Sequence, residues 1–398
     1  MKVTRFRVRR LAGTLATEGP MWEDRLVRPI DIYPEHRRDP WRTGGEQIDA
    51  HRFRVTQDFL DIETDGGITG RAGPLWPDAA RLALTQLAPL VIGKDPTATE
   101  LIWDQMHRSQ VHGRQGDAMI ALSAVDCALW DIRGQAFGQP LWRVLGGPTR
   151  TEVPAYASML GFAVEDTGKV RERAQHFRQL GYTAQKWFFR HGPMSGFDGL
   201  KLNVSLVRTL REALGDDYDI MLDCWQSMNY DYAVALTERI EEFRPRWLEE
   251  PFMPDRIDTH VKLKAKTRIP LSGAEHEYTR WGFKRFIEKD ALDILQPDIY
   301  WCGGLSETLK IAACATAHDL IVIPHGHSTP IGIHFTAAQS PIHTPYQEYL
   351  VKWNDINMHF LAHPLRPVAG MLGLPDAPGA NMALDPAKIE REEEIHAP

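Results

Sequence analysis

The feature that most constrains this chain is a rhythm, repeated eight times between residues 153 and 351, of a short apolar run followed by a loop and an amphipathic stretch. The runs are VPAYASM (153–159), YTAQKWFF (182–189), DIMLD (219–223), RWLEE (246–250), IPLSGAE (269–275), LDILQPD (292–298), LIVIPH (320–325) and YQEYLV (346–351). Stretches such as LNVSLVRTLREALG and YAVALTERIEEF place apolar residues at helical spacing between them. Strands separated by helices run parallel, because each helix carries the chain back to the edge where the next strand begins. Eight such units predict a closed (β/α)8-type barrel. An open doubly wound sheet shows the same alternation and stands as the alternative.

The remaining segments divide the chain. Residues 1–120 read as a separate α+β domain, in which FRVTQDFLDIET alternates like a strand and ends at Asp65-Gly66-Gly67, a hairpin turn. Helices are expected near 78–91 and 97–108, and the long polar stretch from Leu11 to His51 reads as a loop of the kind that covers active sites. Residues 121–365 hold the barrel. Residues 366–398, rich in Pro, Gly and acid, read as a solvated coil that packs back on the first domain. With 46 basic against 53 acidic residues, the net charge of −7 gives no footprint for tracking a phosphate backbone, so nucleic acid is not an expected partner. No apolar stretch reaches the length of a membrane span, and Cys127, Cys224, Cys302 and Cys314 form no C-x-x-C pair. A cytoplasmic protein that meets no membrane is the expectation, and a homo-oligomer is the expected assembly.

The ends of the eight runs carry the chemistry. Lys186, Asp223, Glu249, Glu275, Asp298, His325 and Glu348 follow one another at intervals of 23 to 37 residues. In a parallel barrel all seven would reach the mouth at the C-terminal ends of the strands, where barrel enzymes build their sites. Any one of them is explained as a loop anchor or helix cap; seven together are not. Three successive acids, Asp223, Glu249 and Glu275, would repel one another unless a cation neutralised them, and an all-oxygen set suits Mg2+ or Mn2+. Asp298 and His325, on adjacent strands, are the arrangement that orients an imidazole as a general base. His327 is the competing imidazole, but only His325 directly follows the run LIVIP.

At these residues the sequence resembles the enolase superfamily in its mandelate racemase branch. The likeness is carried by ALSAVDCALWD (121–131), KWF at Lys186, MLDCW, WLEEP, SGAEHE, QPD, WCGGL and PHG, and among its subgroups the chain is most similar to the rhamnonate dehydratases. It implies an α/β fold: a modified (β/α)7β TIM-type barrel with an N-terminal α+β capping domain. It also implies Mg2+ held by Asp223, Glu249 and Glu275, with Glu250 beside them, and a base acting on the proton next to a substrate carboxylate. Lys186 and, if protonated, Glu348 would stabilise the carboxylate oxygens. Racemases of this branch carry K-x-K where this chain has Lys186-Trp187-Phe188, so the second base is missing. One base suits syn dehydration of a small acid sugar to a 2-keto-3-deoxy acid. A racemase, epimerase or cycloisomerase on the same scaffold is the alternative, and a noncatalytic binding barrel a further one.

Trp22, Trp41, Arg42, Arg52 and Arg54 are candidates to line the sugar-acid pocket, Arg54 foremost, because arginine grips carboxylates and aromatic rings cover sugar faces. The bland reading is an ordinary loop surface. His276, Glu277 and His327 read as neighbours of the reacting groups, and the glycines of WCGGL as, at most, a phosphate cradle by weak analogy.

Overall fold

A computed structural model describes residues 1–39 and 44–396. Its N-terminal domain is an antiparallel sheet of β1 (Val3–Ala16), β2 (Gly45–Asp49), β3 (Arg52–Thr64) and β4 (Thr69–Leu75), with β3 central. Alternation decides its faces. Phe53, Val55 and Phe59 of β3 and Leu11 of β1 share one face and are buried, while Phe6 and Val8 of β1 and Ile62 of β3 lie on the opposite face, which is covered at that end of the sheet. Arg52, Arg54 and Thr56 point to this opposite face at its other end, where it is exposed. Helices at Pro77–Leu82, Ala88–Val91 and Thr99–Ser109 follow the sheet. The stretch from Leu11 to His51 is not one loop: β1 runs on to Ala16 and β2 pairs with β3. The polar and small residues of these two strands hid a pattern that cross-strand pairing supplies.

The buried helix Asp117–Ala136, which contains ALSAVDCALWD, leads into the barrel. Eight parallel strands follow: β5 (Glu152–Ser158), β6 (Ala184–Phe188), β7 (Asp219–Asp223), β8 (Trp247–Glu249), β9 (Leu271–Gly273), β10 (Ile294–Leu295), β11 (Ile321–Val322) and β12 (Gln347–Leu350). They stand in the order β11-β10-β9-β8-β7-β6-β5-β12, with a helix in each of the seven intervals. That is a (β/α)7β arrangement. A doubly wound sheet would reverse its strand order midway, and this one does not. Tyr156, Ala184, Met221, Trp247, Ile294 and Ile323, from six strand segments, form a single interior cluster that only a curled sheet brings together. The segment after β11 is tied to β12 by the Gly326 N–H, which donates to Glu348 Oε2 at 2.8 Å.

The C-terminal segment is more ordered than coil. β13 (Met371–Gly373) pairs antiparallel with β5, and β14 (Arg391–Ile395) with β1. The acidic run is not simply solvated: Arg9 makes a bidentate pair with Glu392 at 2.7 and 2.8 Å, and Arg5 and Arg7 reach Glu394 at 2.5 and 3.0 Å. Arg5, Arg7 and Arg9 lie at alternate positions of β1, so they share one face and meet acids of the neighbouring strand. Among the described residues no helix is long and apolar enough to cross a membrane.

Two sequence motifs meet where the long helix docks on the barrel. Asp126 accepts from the Ser306 N–H at 2.9 Å and the Ser306 hydroxyl at 2.6 Å, in the first turn of helix Gly304–Thr316. A Cβ at Gly304, whose φ is +85°, would lie 2.4 Å from the Asp126 carboxylate. The second glycine of WCGGL thus permits close approach of helix and loop, and the phosphate-cradle reading is set aside.

Candidate active site

The structure brings Lys186, Asp223, Glu249, Glu275, Asp298, His325 and Glu348 together at one mouth. β7 and β8 are in register at Asp223 and Glu249, two positions beyond the inward-facing Met221 and Trp247, so both acids point into the barrel. Lys186 Nζ lies 3.0 Å from Asp223 Oδ2, 2.8 Å from Glu348 Oε1, and bonds Glu249 Oε1. The other oxygen of Glu249 accepts from Trp247 Nε1 at 2.9 Å and Gln296 Nε2 at 2.8 Å. Burial works against the Lys186 ammonium, but Glu249, Glu348 and Asp223 outweigh it and hold it protonated. Burial pushes Asp223 up to about 6, with Lys186 opposing and Glu275 adding to the rise.

A second group stands beside the first. His276 Nδ1 is 2.9 Å from Glu250 Oε2 and 3.4 Å from Glu275 Oε1, and the Gln226 amide donates to Glu250 at 3.1 Å. Burial opposes a proton on His276, yet Glu250 and Glu275 raise its pKa to about 9. Glu250, Glu275 and His276 offer ligand atoms within 4.8 Å of one another. The sequence reading groups Glu275 with Asp223 and Glu249 and sets Glu250 and His276 behind them; in this structure Glu275 stands with Glu250 and His276. The cause is local backbone. Trp225, Gln226, Glu250 and Ala274, just after β7, β8 and β9, have φ of 40°, 64°, 40° and 73°, and these left-handed turns fold the side chains back over the mouth. Four such residues behind three acid-bearing strands are strain of the kind that gathers at functional sites.

His325 Nδ1 is 2.8 Å from Asp298 Oδ2, and Asp298 Oδ1 accepts the Tyr300 N–H at 2.8 Å. Burial, then the nearby Lys186, keep the imidazole well below its ordinary pKa. Its Nε2 lies 3.5 Å from Glu275 Oε2. A neutral imidazole with one nitrogen engaged by a carboxylate can accept a proton at the other.

Aromatic rings collar the mouth. Trp301 lies 5.0 Å from His325, 5.5 Å from His276 and 5.3 Å from His327, and Trp76 of the N-terminal domain is 5.4 Å from Trp301. Trp22 packs 5.8 Å from Trp353 and joins Leu26, Leu160, Phe188, Leu350 and Trp353 in one cluster. Trp22 therefore belongs to the mouth. Arg52 and Arg54 are not brought there: Arg52 pairs with Asp49 at 2.7 Å on the exposed face of the sheet, and Arg54 shares that face. The sequence reading followed residue type, whereas strand alternation turns both away. Trp41 and Arg42 lie outside the described residues. Gln296, Trp76, Trp301 and Trp353 went unassigned in the sequence; position two residues before Asp298 was the available signal for Gln296, and the tryptophans have none apart from tertiary placement.

The mouth of this capped barrel gathers carboxylates, one buried lysine and histidines, and comparison with known proteins gives its kinship. Residues 169–388 match the family described as Enolase C-terminal domain-like, and residues 38–146 match Mandelate racemase / muconate lactonizing enzyme, N-terminal domain. The chain belongs to the enolase superfamily, in this mandelate racemase and muconate lactonizing enzyme group. It is 34% identical over 375 residues to L-rhamnonate dehydratase of Saccharopolyspora erythraea, covering 92% of this chain and 90% of the relative. A structure of rhamnonate dehydratase from Gibberella zeae complexed with Mg superimposes with a TM-score of 0.81 at 29% identity, over 97% of this chain and 95% of that one. The 3,6-anhydro-D-galactonate cycloisomerase of Zobellia galactanivorans has a TM-score of 0.78 at 25% identity, over 98% and 100%.

Proposed function

We propose that the chain is a Mg2+-dependent acid-sugar dehydratase, with L-rhamnonate the first substrate to test. The single observation that carries the reading is a one-sided site. His325 and Asp298 form a base on one side, while the end of β6 presents Phe188, buried in the cluster of Leu26, Leu160, Leu350, Trp22 and Trp353. A phenyl ring neither accepts nor delivers a proton, so inversion at carbon lacks a partner there, and loss of a neighbouring hydroxyl is the outcome one base can serve.

The residues fit a divalent cation. Five carboxylates, Asp223, Glu249, Glu250, Glu275 and Glu348, converge in buried surroundings against Lys186 and His276, a charge excess that a hard dication relieves. Asp223, Glu249 and Glu275 would hold it, because an all-oxygen set suits Mg2+, whereas a Glu-Glu-His set suits softer metals. When bound, Mg2+ supplies Lewis-acid stabilisation of the charge that develops on the substrate carboxylate. Lys186, held protonated, adds a positive donor toward the same carboxylate. His325 takes the C2 proton at Nε2 while Asp298 holds Nδ1, then returns a proton to the departing 3-hydroxyl on the same side. Water leaves, and the resulting enol tautomerises to a 2-keto-3-deoxy acid.

The resemblance of the chain to L-rhamnonate dehydratase over 92% of its length supports the substrate class. Supplying Mg2+ and assaying L-rhamnonate, then L-mannonate and L-lyxonate, for a 2-keto-3-deoxy product tests the reading. Product from at least one acid is expected, lost in EDTA and restored by Mg2+. Full turnover without metal, or no product from a wider acid-sugar panel, would reject it.

A further inference from the structure

His327 lies in the turn Gly326–Ser328 after β11, buried, and takes no part in the proton transfers above. Its Nδ1 meets two donors from one helix: Trp353 Nε1 at 3.1 Å and Asn357 Nδ2 at 2.8 Å. Both residues lie on Val351–Asn357, four positions apart and so on one face. An indole N–H can only donate, so Nδ1 must be the nitrogen with the lone pair, and the ring proton must sit on Nε2. Asn357 then turns its amide N–H to the same lone pair. A proton on Nδ1 would face two N–H groups, so these neighbours oppose both the other tautomer and the imidazolium. Burial acts in the same direction, bringing His327 down to about 4.

The two ring nitrogens lie on different edges of the imidazole, so Nε2–H is turned away from helix 351–357. It has no hydrogen-bond partner among the described residues. The rings around it are those of the mouth: Trp301 at 5.3 Å, which also covers His325, and Trp76 stacked at 6.2 Å from the N-terminal domain. A donor of fixed direction on a buried ring, without a partner among the described residues, stands at the junction of cap and mouth, where a ligand can complete it.

We propose that His327 is a substrate-binding residue whose Nε2–H, locked in place by Trp353 and Asn357, donates to a hydroxyl oxygen of the acid sugar beyond the two reacting carbons. The inference rests on the acid-sugar dehydratase reading. A neutral donor selects a hydroxyl oxygen, where an imidazolium would favour a second carboxylate. The same lock removes His327 as a substitute base, since Nε2 already carries its proton and Nδ1 is occupied.

Two measurements test this. In histidine-labelled protein, 15N NMR should show the His327 Nδ1 unprotonated and Nε2 protonated from pH 5 to 8, with the signals assigned by their loss in His327→Gln. An Nδ1–H tautomer or an imidazolium at pH 7 would overturn the lock. In His325→Asn, which should bind substrate without turning it over, saturation with the acid sugar that the native enzyme dehydrates should shift the His327 Nε2–H proton; an unmoved resonance would overturn the contact. Kinetics give the matching contrast. His327→Leu should raise KM about 5- to 30-fold with kcat changed less than threefold, the size of one hydrogen bond. His327→Gln, whose amide can replace the donor, should recover most of that loss. An unchanged KM in His327→Leu, or a kcat as low as that of His325→Asn, would contradict the assignment. Native enzyme that dehydrates no acid sugar would reject the underlying reading, and the free-enzyme tautomer would still decide whether the ring is held as a donor.

Discussion

Replacing Asp298 with Asn tests the base through hydrogen-bond direction alone. The carboxylate accepts on both sides, from the Tyr300 N–H at Oδ1 and from His325 at Oδ2, each at 2.8 Å. An amide cannot do both. If its oxygen keeps the Tyr300 N–H, its NH2 faces His325 Nδ1, which must then accept, and the ring proton moves to Nε2, where the base needs its lone pair. If the amide flips, His325 keeps the working tautomer, but the buried Tyr300 N–H loses its acceptor and faces an NH2. Leaving one buried donor unsatisfied costs about 1–3 kcal/mol, and losing the charge-assisted bond to the imidazole about as much again. The working arrangement is therefore disfavoured by roughly 2–6 kcal/mol, or about 30-fold to 10⁴-fold in kcat at one decade per ~1.36 kcal/mol. An equivalent substitution beside the histidine of a serine protease has an effect near the upper end of that range. The variant should fold, bind Mg2+ and show a KM within a few-fold of native, because Asp298 touches neither the proposed ligands nor the substrate. Initial rates of keto-acid formation at saturating substrate are the assay. A kcat within threefold of native would refute the claim that Asp298 sets the tautomer of His325.

Three further outcomes follow from the geometry. Glu249→Gln should abolish Mg2+ binding by calorimetry while Glu250→Gln weakens it less than tenfold; the reverse order would move the ligand set to Glu250, Glu275 and His276. Asp126→Ala should lower stability by about 2–4 kcal/mol in urea unfolding, because the Ser306 N–H and hydroxyl lose their buried acceptor; a change under about 0.5 kcal/mol would show that the joint of helix and barrel does not depend on it. Ending the chain at Glu390 removes β14 and the partners of Arg5, Arg7 and Arg9, so the thermal midpoint should fall, and the difference should shrink as salt is raised; a midpoint equal to native at low salt would contradict the structural role of the acidic run.

The barrel and its mouth were legible because the strands are buried and β6 to β12 each carry an ionisable residue within three positions of their C-terminal ends, so apolar runs and the residues that close them mark the ring directly. That reading is insensitive to boundaries: LDILQPD forms a strand only over Ile294–Leu295, yet Asp298 still reaches His325. Two adjacent acids are different. Strand alternation turns Glu249 into the barrel, whereas Glu250 adopts a left-handed conformation, φ 40°, that no residue type announces and stands with His276. The N-terminal domain was less legible, since β1 and β2 carry arginine and small residues whose register is set by partners distant in the chain, among them the C-terminal β14. Arg52 and Arg54 show the same limit, their direction being set by which face of β3 packs on the core. The tautomer of His327 depends on a helix about 25 residues further on and needed coordinates to be seen.

The central claim is that one base, His325, removes the C2 proton and that the 3-hydroxyl then leaves. Proton NMR of the native enzyme with Mg2+ and L-rhamnonate in D2O addresses it directly, alongside His325→Asn under the same conditions. The account predicts that the native enzyme converts the acid to its 2-keto-3-deoxy product with deuterium delivered to C3, and that the variant yields neither product nor exchange at C2. Recovery of starting acid inverted at C2 with no keto-deoxy product, or continued C2 exchange at the native rate in the variant, would contradict it.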